Sequence, residues 1–261
     1  MAEVVIVRDQ DEAGELAATA MLAPVRASAD AVLGFATGST PLTTYRAMAR
    51  RIAEEGLDVS RVRGFALDEY VGLPAGHPEG YRAVITREVV EPLGLAPDLV
   101  RVPDGDLANV GTAATDYEAA IAEAGGVDVQ ILGIGRTGHI AFNEPGSSLA
   151  SRTRVKTLTE QTRIDNARFF DSLDQVPMHC ITQGIGTILE ARHLVLLAFG
   201  EGKAEALSAA VEGPVSAGNP GSAIQLHPHT TVIVDEAAAS RLEHAAYYRY
   251  SWANKPAWQG F

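Results

Sequence analysis

Seven short apolar runs recur along the chain with little polar alternation: VVIV at 4–7, AVLGFA at 31–36, VRGFAL at 62–67, LVRV at 99–102, VDVQILGI at 127–134, LVLLAF at 194–199 and TTVIV at 230–234. A strand with one wet face alternates apolar and polar residues, so runs that do not alternate imply strands covered on both faces. Between them, patterns predict helices over about 11–28, 41–55, 80–90, 109–124, 160–171, 202–211 and 236–248. Such alternation builds an α/β fold, a doubly wound, mainly parallel sheet with helices on both faces. No Pro/Gly/Ser-rich linker or fixed-period repeat divides the sequence, so residues 1–261 are read as a single domain. Ligands of such sheets bind beyond the carboxyl ends of the strands. The residues just after each run are therefore where chemistry is to be sought.

Composition narrows the partners. A net charge of −12 argues against nucleic acid or an anionic membrane surface, because clustered Lys and Arg supply most of the affinity for either. An anionic ligand must then be small and locally recognised. The lone Cys180 permits no intrachain disulfide, and its apolar surroundings mark a buried, inert thiol. There is no membrane-length apolar run and no basic-then-apolar N-terminus, so a cytoplasmic location is expected.

ILGIGRTGHIAFNEPG, at 131–146, carries Gly133, Gly135 and Gly138 in the G-x-G-x-x-G spacing of a dinucleotide loop. That motif needs a helix at once and an acidic residue about 20 positions on. Here His139, Asn143, Glu144, Pro145 and Gly146 break a helix, and the later region reads Arg154, Val155, Lys156. The glycines are read instead as clearing space around His139. His139 and Glu144 lie close enough for an acid/base relay in which the carboxylate orients the ring.

Three other post-strand stretches stand out. Gly38, Ser39 and Thr40, followed by Pro41 at a helix start, offer free N–H groups and hydroxyls to an anion, although a plain capped turn has the same composition. Asp68 and Glu69 sit at a strand exit, where partial desolvation raises a carboxylate toward general-base range. If SRTRVKT at 151–157 is extended, Arg152, Arg154 and Lys156 share one face, with Arg163 and Arg168 behind them, which points to anion recognition. Lys203 stands at a helix start, where only a bound anion would favour a cation. No H-e-x-x-h or Cys/His spacing indicates a metal site.

Taken together, ATGSTPLTTY, LDEYVGL, GHIAFNEPGSSLASRTRVKTLT, RFFD and IQLHP closely resemble the glucosamine-6-phosphate deaminase family, over about 34–235. The resemblance implies an enzyme, classed as a hydrolase acting on an amino sugar phosphate, that converts glucosamine 6-phosphate and water to fructose 6-phosphate and ammonia without a cofactor. It implies ring opening by His139 with Glu144, and Asp68 as the base that takes the C2 proton and returns one to C1. Thr137 stands where the family commonly carries an orienting Asp or Asn. Gly38, Ser39, Thr40, Arg168 and Lys203 would hold the substrate phosphate. Residues matching Ser147, Arg154, Lys156 and Thr157 bind an allosteric activator, N-acetylglucosamine 6-phosphate, between subunits in some members, which implies a homo-oligomer. Two rivals stay open. A 6-phosphogluconolactonase-like hydrolase would typically continue the Gly-His loop as Ala-Ser-Leu-Phe-Pro, so Glu144 separates it. A non-catalytic phosphosugar sensor would carry a helix-turn-helix and could lose Asp68, His139 or Glu144.

Overall fold

In the computed structural model, which describes residues 3–260, the strands are β1 Glu3–Val7, β2 Val32–Phe35, β3 Arg63–Ala66, β4 Asp68–Tyr70, β5 Val100–Arg101, β6 Val129–Gly133, β7 Arg154–Thr157, β8 His179–Thr182, β9 His193–Ala198 and β10 Thr230–Asp235. Each of the seven apolar runs supplies one strand of a sheet ordered β1-β10-β9-β6-β2-β3-β5. Every neighbouring pair in it is parallel. β9 is buried along its whole length, as a strand covered on both faces must be. Val195, Leu196, Val232 and Ile233 are among its fully buried side chains and those of β10, and each contributes about 1.5–3 kcal/mol by leaving water.

The chain order explains where the helices lie. From β1 it moves to β2, β3 and β5 in one direction along the sheet, then returns through β6, β9 and β10 in the other. Gln10–Ala27 and Leu42–Glu55, on the outward connections, pack against each other; by the right-handed crossover rule, Val110–Glu123 and Ala204–Val211, on the returning connections, belong to the opposite face. The reversal falls between adjacent β2 and β6, paired through Leu33 and Val129. Their loops diverge there and leave a crevice at the carboxyl ends of the strands.

A second, antiparallel sheet, β4-β8-β7, lies outside the seven runs. Its strands are three or four residues long and partly polar, so periodicity does not reveal it. Tyr70, Phe142, Leu158 and Cys180 form a separate apolar cluster there. Three helices also differ from expectation: the 160–171 pattern ends at Asn166 and tightens into a 3₁₀ turn, Ala167–Phe169. The 80–90 pattern is helical from Tyr81 to Leu93 but passes through a π turn at Thr86–Val90. The 236–248 pattern splits into a 3₁₀ turn, Ala238–Arg241, and a helix, Ala245–Ala253. At the break the Glu212 carboxylate accepts the Glu243 and His244 N–H groups at 2.7 and 2.9 Å, replacing helical bonds with a distant partner. No helix among the described residues is long and apolar enough to cross a membrane.

Candidate active site

A cavity of about 610 Å³ occupies the crevice and is lined by the loops after β2, β3, β6 and β9. The exit of β2 is pinned by Tyr45, whose hydroxyl accepts the Ala36 N–H at 3.0 Å and donates to the Ala36 carbonyl at 2.8 Å. The chain then turns through Gly38 at φ +90°, a conformation glycine alone adopts easily, and Gly38, Ser39 and Thr40 line the cavity. Lys203, after β9, and Arg168, from the turn Ala167–Phe169, reach the same space. So does Arg136, in the loop after β6, which the sequence reading passed over. Its position directly behind a strand was the available signal.

Among the described residues, none of these three cations has an ion-pair partner. Arg168 rests on the Phe169 ring, 4.7 Å from its centroid. Lys203 is held below its ordinary pKa, first by burial and then by the charge of Arg136, with Arg168 adding a smaller push and Asp165 pulling the other way. Uncompensated cations converging beside hydroxyls in an acidic chain can hold a small anion.

Asp68 and Glu69 occupy successive positions of β4 and therefore face opposite ways. Glu69 is structural: its carboxylate accepts the N–H groups of Tyr70, Tyr81 and Arg82 at 2.7, 2.8 and 2.8 Å and so caps the helix beginning at Tyr81. Asp68 lines the cavity instead. Burial pushes its pKa up to about 8, the neighbouring Glu69 charge adds to this, and only the Phe142 N–H works against it. A carboxyl group tuned this way can hold or release a proton near neutrality.

The loop after β6 builds the other half. His139 Nδ1 lies 3.2 Å from Glu144 Oε2 and 3.0 Å from the Thr137 hydroxyl oxygen, and that hydroxyl donates to the same Glu144 oxygen at 3.2 Å. An ionised carboxylate can only accept, so the arrangement places the ring proton on Nδ1 and leaves Nε2 as the free base. The glycines have distinct reasons. A Cβ on Gly135 would sit 2.1 Å from His139 Nε2, so here the residue does clear space for the ring. Gly138 has φ +80° and would strike Asn219, whereas Gly133 meets nothing and simply opens onto the cavity. Ala141 is held at φ 49° on the cavity wall, a rare conformation for a residue with a side chain.

Of the remaining residues singled out, Arg154 and Lys156 do share a face of β7, while Thr157 points the other way, its hydroxyl 3.3 Å from His179 Nδ1. Arg154 donates to Asn143 Oδ1 at 2.7 Å. The Ser147 hydroxyl is buried without a hydrogen-bond partner. Arg152 lies just before β7 and is taken up by Glu118 and Glu190. Arg163 donates to the carbonyls of Leu173 and Val176, so it braces the chain rather than facing the cavity.

Residues 9–233 match the family described as glucosamine-6-phosphate isomerases/6-phosphogluconolactonase. The chain belongs to this family. Among glucosamine-6-phosphate deaminases, it is 62% identical over 270 residues to that of Bifidobacterium longum (strain NCC 2705), covering 100% of both chains. It is 62% identical over 259 residues to that of Streptomyces coelicolor, covering 99% of each. The solved structure of a monomeric glucosamine-6-phosphate deaminase superposes with a TM-score of 0.89 at 40% identity, covering 92% of this chain and 100% of that one. A 6-phosphogluconolactonase from Trypanosoma cruzi, at 21% identity and a TM-score of 0.73 over 93% and 97% of the two chains, shares the fold alone. The family description names isomerases and the relatives are named deaminases; neither carries the hydrolase class expected from the sequence.

Proposed function

We propose that this protein converts glucosamine 6-phosphate and water to fructose 6-phosphate and ammonia, using no cofactor. The observation that carries the reading is Asp68, a buried carboxyl group poised at about 8, in the same cavity as a histidine–carboxylate pair and three unpaired cations. Gly38, Ser39, Thr40, Arg168, Lys203 and Arg136 hold the substrate phosphate, a remote anchor that orients the reacting carbons. His139 Nε2 moves a proton from the anomeric hydroxyl to the ring oxygen, and Glu144, with Thr137, stabilises the imidazolium that forms. Asp68 then takes the C2 proton of the open aldehyde and returns one to C1. Water adds to the resulting C2 imine, and ammonia leaves. Asp68 must be ionised for its step; the substrate ammonium at C2 favours that form by placing an opposite charge beside it. The reading keeps the buried Ser147 hydroxyl, Arg154, Lys156 and Thr157 as a site for an activating N-acetylglucosamine 6-phosphate in a cytoplasmic homo-oligomer.

Ammonia release from purified protein and glucosamine 6-phosphate, with EDTA present and no nucleotide, tests the core of this. Turnover supports it; activity that appears only with an added divalent metal removes the cofactor-free claim, and hydrolysis of a 6-phosphogluconolactone without ammonia release replaces the function. Saturation curves with and without N-acetylglucosamine 6-phosphate, alongside sedimentation, test activation and assembly. Superimposable hyperbolic curves from a monomer would remove both.

A further inference from the structure

Glu144 is held from two sides, and only one of them belongs to its own loop. Oε2 faces His139 and Thr137, while Oε1 accepts the Thr159 hydroxyl at 3.1 Å and the Thr162 hydroxyl. Thr159 is the N-cap of helix Glu160–Asn166, its side-chain oxygen accepting the Thr162 N–H at 3.2 Å. Thr162 is 4% exposed and lines the cavity. The segment these threonines begin continues directly into Asp165, Asn166, Arg168 and Phe169, which line the same cavity.

We propose that Thr162, supported by Thr159, is a positioning residue for ring opening: it keeps the Glu144 carboxylate ionised and turned toward His139, and joins that pair to the segment carrying the phosphate-facing Arg168. The inference rests on the proposed function of this site. A buried carboxylate lacking donors on one oxygen takes up a proton instead, and a neutral Glu144 could not stabilise the imidazolium. The balance is visible in Glu144 itself: burial raises its pKa, but the bond and charge of His139 and then the Thr162 and Thr159 hydroxyls bring it down to about 2. The titratable groups around it are His139 and the Cys180 thiol of β8, which burial and the Asp68 and Glu144 charges keep protonated.

The test is Thr162→Val, which keeps the branched shape and removes the hydroxyl. A lost hydrogen bond to a charged group corresponds to a shift of about one pH unit or more. The midpoint of the Glu144 side-chain carboxyl in a ¹³C NMR titration of the substrate-free protein should move upward by that amount, while the limb of kcat/KM near 8, which Asp68 sets, should stay in place. kcat should fall more than KM changes, and Thr162→Ser should restore both the midpoint and kcat. A wild-type carboxyl titration in Thr162→Val overturns the proposal and leaves Thr162 a packing residue; should the valine variant not fold, Thr162→Ala is read the same way. The carboxyl titration needs no substrate. A shifted midpoint without ammonia release would therefore fail the proposed function alone, whereas normal ammonia release with an unshifted midpoint would fail this inference alone.

Discussion

Asp68 and Glu144 are withdrawn from water to nearly the same degree, 6% and 4% exposed, yet one is pushed up to about 8 and the other brought down to about 2. Burial acts in the same direction on both. Asp68, on the short strand β4, has one backbone donor and a like charge beside it; Glu144, in the loop after β6, faces a histidine and three threonine hydroxyls. The number and charge of the facing groups, rather than depth, decide which carboxyl can shuttle a proton and which remains a fixed anion.

The largest test of that division is catalytic. Asp68→Asn should lower kcat by about 10²–10⁴, the usual worth of a positioned general base, with substrate affinity nearly unchanged. In wild type, kcat/KM should rise with pH through about 8 as Asp68 ionises, and that limb should vanish from the residual activity of the variant. Glu144→Gln should cost about 10²-fold or less and keep the limb near 8. Steady-state rates across pH read both variants; a limb near 8 surviving in Asp68→Asn would move the base role elsewhere.

The same two substitutions should change stability with opposite signs. Asp68 has a folded pKa above its ordinary 3.8, so its contribution is present below that value and lost as pH rises through about 8. Asp68→Asn should therefore be more stable than wild type at pH 8.5, with the excess disappearing near pH 4. Glu144 has a folded pKa below its ordinary 4.5, so its contribution is present above that value and lost as pH falls toward about 2. Glu144→Gln should be less stable at neutral pH. Each unit of displacement is worth about 1.4 kcal/mol, within reach of urea unfolding curves at pH 4, 7 and 8.5. Shifts of the same sign would show that burial alone governs both groups.

A smaller effect isolates the anchor from the chemistry. Lys203→Ala, Arg168→Ala and Arg136→Ala should each lower kcat/KM for the phosphorylated substrate by about tenfold, through one lost charge-assisted contact. They should leave the already poor use of unphosphorylated glucosamine and the limb near 8 unchanged. Equal losses on both substrates would assign these side chains to the fold.

What was legible in the sequence follows the same line between local and distant causes. The seven parallel strands were readable because double-sided burial writes an unbroken apolar run. β4, β8 and β7 were not, because strands of three or four residues leave no period to detect. Asp68 was legible as a strand exit, and His139 with Glu144 as a close pair in a bend too rich in Gly, Asn and Pro to be a helix. Thr159 and Thr162 did not, since threonine at a helix start is ordinary capping chemistry and only the fold brings Glu144 to it. Arg152 and Arg163 looked like ligand cations until their partners, Glu118, Glu190 and the Leu173 and Val176 carbonyls, arrived from far along the chain.

The finest test of the contrast between the two carboxyl groups lies at Thr137. Its hydroxyl gives Glu144 one donor and lies 3.0 Å from His139 Nδ1. Thr137→Val removes that donor but leaves Glu144 facing the ring, so kcat should fall only about two- to tenfold, the worth of one net hydrogen bond. Thr137→Asp does two opposing things. It sets a second carboxylate beside Glu144, which raises the pKa of the pair because both cannot ionise cheaply at that separation. Once both are charged, they stabilise the imidazolium better than a carboxylate and a hydroxyl. The acid limb of kcat should therefore move up while the rate near pH 8 equals or exceeds wild type wherever ring opening limits turnover. A pH series on well-folded Thr137→Asp decides it: an unmoved acid limb would mean that the new carboxylate has turned away from Glu144, and that the donors on this chain's Glu144 already suffice without a charge at position 137.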